Sequence, residues 1–148
     1  MMRILFYIIL LILTFLAPVR RVEIEHLEPV EAVFAVRNGE QITLTTDTGA
    51  SGTGDDVDRA LMDLEETTPG IVFLDTARYL LLSTDTPEDV DRLRQHLKGN
   101  VRVCMFEGTQ DPQRAIEYLE VYGKLPKIKD WNPADPLPVL TEEKIIEK

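Results

Sequence analysis

Two short stretches with the look of strands lie on either side of an Asn-Gly pair. Residues 30–37 are mostly apolar, residues 41–46 alternate between polar and apolar side chains, and Asn38 and Gly39 lie between them. Asn-Gly tolerates the positive φ angles that a tight hairpin turn needs at its two central positions. The pattern therefore predicts a β-hairpin. Residues 22–26 alternate in the same way and predict the beginning of a further strand.

The next stretch has the period of a helix. Residues 49–54 are rich in glycine and predict a loop, in which glycine permits positive φ angles. Residues 55–67 then predict a helix, which Pro69 and Gly70 end. Four apolar residues in this helix recur at i, i+3, i+4 and i+7 and predict one buried stripe: Val57, Ala60, Leu61 and Leu64.

Short apolar runs separate the helical stretches that follow. Residues 71–74, 79–82 and 101–106 are rich in apolar side chains and predict three strands. Strands that alternate with helices predict a sheet with helices packed on its faces. Because an antiparallel hairpin precedes them, we expect a mixed sheet. The predicted fold class is α/β (α+β), with about three packed helices.

Two further helices have distinct start signals. Thr86-Pro87 and Asp111-Pro112 each place an N-cap residue before a proline at the first helical position. Gly99 and Gly123 follow the two helices, where glycine is favoured. The residues predicted to face the core are Val90, Leu93 and Leu97 in the first helix, and Ala115, Ile116 and Leu119 in the second.

The N-terminal segment predicts a membrane anchor. Residues 4–17 are almost entirely apolar and follow Arg3, which is the layout of a signal sequence. No small-residue cleavage pattern follows them. We therefore expect residues 1–19 to be an uncleaved signal anchor, with residues 4–19 as a single transmembrane helix and the soluble part outside the cytoplasm. A cleaved signal peptide is the alternative.

The alternation of helical and strand-like segments ends near residue 125, and this point divides the chain after the anchor into two parts. Residues 20–125 are predicted to form the α/β domain, and residues 126–148 a proline-rich tail. Trp131 in this tail is expected to pack back on its own domain rather than to anchor a partner. Thr141 is the candidate N-cap of a short C-terminal helix.

Charge and composition narrow the functional classes. The formal net charge is -10, which opposes nucleic-acid binding because phosphate neutralisation needs a basic face. The single cysteine, Cys104, permits no internal disulfide and lies in an apolar run, so we expect it to be a buried core residue. His26 and His96 are far apart in sequence. We therefore predict no metal and no cofactor.

The segment Asp47-Thr48-Gly49 is the one candidate for catalysis. It resembles the catalytic loop of retropepsin-like aspartic proteases, in which two such loops share a proton between two aspartates and activate water. A second apolar run ends at Asp75. In those proteases the loop leads into a strand, whereas a helix is predicted here from Asp55. We therefore expect Asp47 to accept hydrogen bonds from backbone amides of its turn, and a strand after Ser51 would favour the protease.

Two ligand-binding alternatives fit the same loop less well. Gly49 and Gly54 have the spacing of a phosphate-binding loop, but Asp55 stands where such a loop has lysine. A calcium loop would need an oxygen ligand at Gly49 and a preceding helix, which the sequence does not provide. The calcium interpretation would use Asp47, Ser51, Gly52, Asp55 and Asp58.

The order of segments is similar to that of one known family. A membrane signal and a hairpin precede Ser51-Gly52-Thr53-Gly54, which leads into the ALMDL helix, the strand IVFL and the segment YLLLS. The helix of residues 86–98, the strand VRVCMFEGT and a helix with Ala115 near its start follow. Residues 22–123 thereby resemble the N-terminal domain of the C subunits of spore germinant receptors, the Ger(x)C-type proteins.

The resemblance implies a membrane-attached, non-enzymatic assembly or signalling domain at the spore inner membrane, with other membrane proteins as partners. Members of that family are lipoproteins with further domains, whereas this chain has no lipid-acceptor cysteine after its apolar run. We therefore expect the fold to carry over, without the transfer of individual functional residues. A membrane-anchored aspartic protease that uses Asp47 is the alternative, and a small-ligand-binding domain is a third hypothesis.

Overall fold

The computed structural model describes residues 27–83, 87–108, 111–141 and 145–146. Its three described helices are α1 (Val57–Thr67), α2 (Pro87–His96) and α3 (Pro112–Val121). The strands are β1 (Leu27–Pro29), β2 (Ala32–Asn38), β3 (Gln41–Thr46), β4 (Ser51–Gly54), β5 (Ile71–Phe73), β6 (Tyr79–Leu82), β7 (Arg102–Phe106), β8 (Val139–Leu140) and β9 (Ile145–Ile146). The predicted mixed α/β class is confirmed.

The described strands form two sheets. The main sheet has seven strands in the order β4-β3-β2-β6-β7-β8-β9. Its β4-β3-β2 side is antiparallel, β2, β6, β7 and β8 run parallel, and β9 returns antiparallel to β8. The second sheet pairs β1 with β5 in parallel. All four residues of β6 are buried, as expected of a parallel strand covered on both faces.

The predicted hairpin is confirmed, with Asn38 paired to Gln41 and Gly39 at a φ of 64°. The predicted glycine-rich loop is only partly correct. Ser51–Gly54 form strand β4 against β3, so a strand stands between the turn and helix α1. The helix therefore begins at Val57, with Asp56 as its N-cap, rather than at Asp55.

The two glycines of β4 allow α1 to lie directly on the sheet. A Cβ atom at Gly52 would lie 2.3 Å from both the Ala60 carbonyl oxygen and the Leu64 nitrogen. A Cβ at Gly54 would lie 2.5 Å from the Ala60 nitrogen. The glycines at these two positions are therefore required by close packing against helix backbone, and not by the positive φ angles that the sequence suggested.

Two apolar cores lie on opposite faces of the main sheet. The predicted inward residues of α1 and α2 are buried on one face with Val33, Leu80 and Val103. The predicted inward residues of α3 are buried on the other face with Tyr79, Leu81 and Cys104. Adjacent residues of β6 thus point to opposite cores, which follows from the alternation of side chains along a strand.

The chain after residue 125 contributes buried residues and a strand to the domain, although its prolines predicted a tail. Ile128, Leu137 and Leu140 are buried in the two cores, and β8 extends the sheet beside β7. The predicted helix after Thr141 is wrong at Ile145–Ile146, which form strand β9. The division of the chain at residue 125 therefore does not mark the end of the packed structure.

The predicted membrane anchor at residues 1–19 and the predicted strand at residues 22–26 lie outside the described residues. Within the part of the chain that the structure describes, the helices are too short and too polar to cross a membrane. The predicted N-cap Thr86 likewise lies outside it. Asp111 is observed as the N-cap of α3, where its Oδ1 accepts the N–H of Gln113 and of Arg114.

Candidate functional site

Asp47, the catalytic candidate, directly follows β3. Its Oδ1 accepts the backbone N–H of Glu31 at 2.9 Å and that of Ala32 at 3.0 Å. Its own N–H donates to the Ala32 carbonyl at 3.1 Å. The turn that follows contains Gly49, whose φ of 92° lies in the left-handed region. The predicted brace exists, but it stabilises the backbone where β2 begins and not the turn that contains Asp47.

The second Asp-Thr segment has a related position. Asp75 is exposed and lies with Thr76 in a 3-10 turn that precedes β6. The Thr76 hydroxyl oxygen lies 2.9 Å from both the nitrogen and the carbonyl oxygen of Val30. Both Asp-Thr segments therefore bind the chain just before β2, because β3 and β6 flank β2 in the sheet.

The described residues favour neither ligand interpretation of this loop. Gly52 and Gly54 are covered by α1, so their backbone is not open to a phosphate group. The described residues contain no group of three or more acidic, histidine or cysteine side chains placed to hold a metal ion. Asp58, one of the candidate calcium ligands, instead lies 2.8 Å from His96 Nε2 and 3.7 Å from an Arg92 nitrogen.

A cleft of about 490 Å³ lies at the end of β2, beside the first turns of α1 and α2. The guanidinium of Arg37 donates two hydrogen bonds of 2.5 Å to the carboxylate of Asp89, which is only 4% exposed. The hydrogen bond to Asp89 raises the pKa of Arg37. Asp55, Asp56 and Glu88 also line this cleft, where carboxylates are stabilised by helix N-termini.

A second cleft, of about 310 Å³, has the opposite charge. It lies where β6 and β7 begin and is lined by Arg78, Tyr79, Asn100, Arg102 and Lys127. Three of these five residues are cations and none is acidic. We refer to these five residues as the cationic cleft.

Apolar side chains are exposed on the small sheet of β1 and β5. Ile71 is 48% exposed and Phe73 is 38% exposed, while Val72 between them packs against the core. Met62 on the neighbouring helix α1 is 50% exposed. Trp131 is not part of this surface: it packs against the core, as predicted, and its Nε1 donates to the Asp135 carbonyl at 3.1 Å.

Cys104 has the properties of a core residue. It is 1% exposed, and burial raises the pKa of its thiol from 9.0 to about 12. A thiol that stays protonated at neutral pH is a poor nucleophile and a poor metal ligand. The prediction that Cys104 is a buried core residue is confirmed.

Neither charged cleft follows from the sequence pattern. Arg37 and Asp89 are 52 residues apart, and the cations of the second cleft come from separate strands and a loop. The available signals were weak: Arg37 ends an apolar strand, and Arg78 and Arg102 each stand at the start of one. Such arginines are common at strand ends, so only the strand order shows which of them are neighbours.

Comparisons with known proteins add no identification: no family model, no curated protein and no solved structure matches this chain. The resemblance to the spore germinant receptor C subunits therefore stays a prediction.

Proposed function

We propose that this chain is a membrane-anchored interaction domain that binds another membrane protein through the exposed surface of β5. The observation that carries the proposal is the exposure of Ile71 and Phe73 on a strand whose central residue, Val72, packs inward. Exposed apolar side chains that adjoin one another mark sites of interaction with proteins, membranes or ligands. The predicted anchor at residues 4–19 and the resemblance to the Ger(x)C-type C subunits support a place in a membrane assembly.

The geometry favours a partner that adds a strand. β1 and β5 pair only over three residues, from Leu27 opposite Ile71 to Pro29 opposite Phe73. A two-stranded sheet of this size is marginal by itself, and its unpaired backbone groups can accept a further strand. Ile71 and Phe73 project to the same side of such a strand and would provide the apolar contacts.

The position of this surface indicates where the partner is held. Leu27, the first described residue, comes eight residues after the predicted transmembrane segment at residues 4–19. Eight residues span at most about 28 Å, so β1 must stay near the membrane when the segment is inserted. A partner in the same membrane is then within reach. In the role that the resemblance suggests, it is another subunit of a receptor complex at the spore inner membrane.

Photo-crosslinking in intact membranes tests this proposal. A photoreactive phenylalanine analogue at position 73 is expected to give a single adduct with a membrane protein, whereas the analogue at Val121 gives none. Val121 is the matched control because it is 88% exposed on α3, across the main sheet. The same partner must be lost from co-purification with Phe73→Asp and retained with Val121→Asp. An adduct of twice the chain mass, a lipid adduct, or equal adducts at both positions would refute the proposal.

The protease remains an alternative with one observation in its favour, the strand that follows Ser51. Against it, Oδ1 of Asp47 accepts two backbone N–H groups, which is the bonding of a structural brace. Purified full-length chain and its Asp47→Asn variant should be incubated with an unstructured peptide library, with and without pepstatin. We expect no cleavage by either protein; pepstatin-sensitive cleavage by the wild type alone would establish the protease.

A further inference from the structure

The cationic cleft takes no part in the interaction proposed above. Its residues meet because of the strand register: Tyr79 is opposite Arg102 in the pair of β6 and β7, and Arg102 forms a β-bridge with Lys127 on its other side. Neighbouring strands are separated by about 4.8 Å, so the three cationic residues lie on neighbouring backbone segments at one end of the sheet. Asn100 lies in the loop just before β7 and lines the same cleft.

The side chains also share one face of the sheet. Arg102 points to the same face of β7 as Cys104 and Phe106, which lie in the core beneath α3. Arg78 reaches this face as well, because its Nη1 lies 3.1 Å from a carboxylate oxygen of Glu120 on α3. The cleft is therefore a converging arrangement rather than a row of unrelated surface charges.

The charges within the cleft are only partly balanced. Arg78 is held by Glu120 and, at 3.6 Å, by Glu31, and its Cζ lies 5.4 Å from the ring centre of Tyr79. In the described residues, the guanidinium of Arg102 and the ammonium of Lys127 have no hydrogen-bonded or ionic side-chain partner. Arg102 is also half-buried. Two unpaired cations beside a third repel one another, and an anion in the cleft removes this cost.

From this arrangement we propose that the cationic cleft binds a phosphomonoester. A phosphomonoester carries a charge between -1.5 and -2 near pH 7, which roughly balances the two positive charges of Arg102 and Lys127. Its oxygens accept hydrogen bonds from the planar guanidinium of Arg102, from Lys127 as a point charge, and from the amide of Asn100. The volume of about 310 Å³ accommodates a phosphate group together with a short polar substituent.

The phosphomonoester has two possible sources, the headgroup of phosphatidic acid or a soluble compound such as glycerol 3-phosphate. The cleft lies at the end of the sheet where β2 begins, since Ala32 is opposite Tyr79. Glu31, four residues after Leu27 in the chain, contacts Arg78 directly at this end. An anchor upstream of Leu27 would bring a membrane headgroup within range of the same cleft.

The test uses the full-length chain in lipid nanodiscs of phosphatidylcholine, titrated with glycerol 3-phosphate by calorimetry at low salt. We expect a dissociation constant of about 1 mM or lower, since charge-assisted hydrogen bonds supply the affinity. Arg102→Gln with Lys127→Gln should weaken binding about tenfold or more, and Arg102→Lys should weaken it less. The control pair, Arg59→Gln with Arg92→Gln, removes the same charge from helices α1 and α2 and should leave the affinity within about twofold.

Nanodiscs that contain phosphatidic acid identify the source. If the headgroup occupies the cleft, the apparent affinity for glycerol 3-phosphate falls more in phosphatidic acid than in phosphatidylglycerol, a phosphodiester. Equal affinities in the two lipids assign the cleft to a soluble phosphomonoester. Absence of binding to the wild type in every lipid, binding of acetate with equal affinity, or an equal loss in the control pair would overturn the proposal. Melting temperatures of the unliganded variants exclude unfolding as the cause of a loss.

Discussion

Replacement of Gly52 by alanine tests the packing that holds α1 on the sheet. The added Cβ would lie 2.3 Å from the Ala60 oxygen and the Leu64 nitrogen, and 2.7 Å from the Leu64 Cα. Ordinary van der Waals contacts of a methyl group begin near 3.4 Å. All three atoms belong to the helix backbone, so no side-chain rotation can relieve the overlap. The helix must move away from β4 by about 1 Å.

The expected cost follows from the residues that this movement disturbs. Val57 and Ala60 are fully buried between α1 and the sheet, and Leu64 is 1% exposed. Overpacking in a well-packed core costs about 1–3 kcal/mol, and a clash between two backbones belongs at the upper end of that range. Alanine also reduces the conformational entropy of the unfolded chain, which offsets about 0.4–1 kcal/mol of this cost. We therefore expect Gly52→Ala to lower the free energy of unfolding by about 2–3 kcal/mol.

Urea unfolding followed by the fluorescence of Trp131, the only tryptophan, measures this change. With a urea m-value of about 1.5 kcal/mol/M, the midpoint should fall by about 1.3–2 M. Gly123→Ala is the control, because its Cβ meets no atom within 4 Å, and it should stay within about 0.5 kcal/mol of the wild type. If Gly52→Ala also stays within this margin, the close approach of α1 to β4 is not a determinant of stability.

Three further predictions concern individual polar groups. Asp47→Asn should cost about 1 kcal/mol of unfolding free energy, because the amide oxygen still accepts both N–H groups, whereas Asp47→Ala leaves them unpaired and should cost about 2–3 kcal/mol in the same urea assay. Arg37→Met should lower the free energy of unfolding by about 3 kcal/mol, because it leaves the buried Asp89 carboxylate unpaired. Adding Asp89→Leu should restore most of this loss, and no recovery in the double variant would contradict this account. Burial raises the thiol pKa of Cys104 from 9.0 to about 12, so the unfolded chain loses its thiol proton at a lower pH than the folded chain. The free energy of unfolding should therefore keep this contribution below pH 9 and lose it from pH 9 towards 12. The Cys104→Ala variant should lack this component of the pH dependence.

The elements that the sequence predicted best are those with a local physical cause. The Asn38-Gly39 turn and the apolar stripe of α1 depend on residues close together in sequence, and both are observed. Asp111 as the N-cap of α3 is another case of this kind. Short-range periodicity and capping determine these features, so they can be read without knowledge of the neighbours in space.

The errors arise where tertiary contacts decide the conformation. Ser51–Gly54 has little strand propensity, yet pairing with β3 on one side and coverage by α1 make it a strand. Ile145–Ile146 lies in a segment whose Thr141 and acidic residues favour a helix, and its pairing with β8 overrides that preference. The buried Ile128 shows the same limitation, because the prolines predicted an extended tail and gave no sign of its place in the core.

The candidate site could be predicted only as residue types, because its geometry depends on strand order. Arg78 and Arg102 are 24 positions apart in sequence, and their proximity follows from the parallel pairing of β6 with β7. The same holds for Arg37 and Asp89, which meet because α2 begins at the end of the sheet where β2 ends. The local Asp-Thr-Gly motif instead indicates Asp47, whose carboxylate has a structural use in this fold.

That structural use has a common explanation for both Asp-Thr segments. The chain just before β2 is bound from three directions: Asp47 holds the amides of Glu31 and Ala32, Thr76 holds Val30, and the Arg78 N–H donates to the Glu31 carbonyl at 2.8 Å. β2 is the strand on which both halves of the main sheet depend, since it pairs with β3 on one side and β6 on the other. Bonds from residues next to both neighbouring strands therefore fix the position of the chain where it enters β2. This position gives Asp47 and Thr76 a structural role in the main sheet.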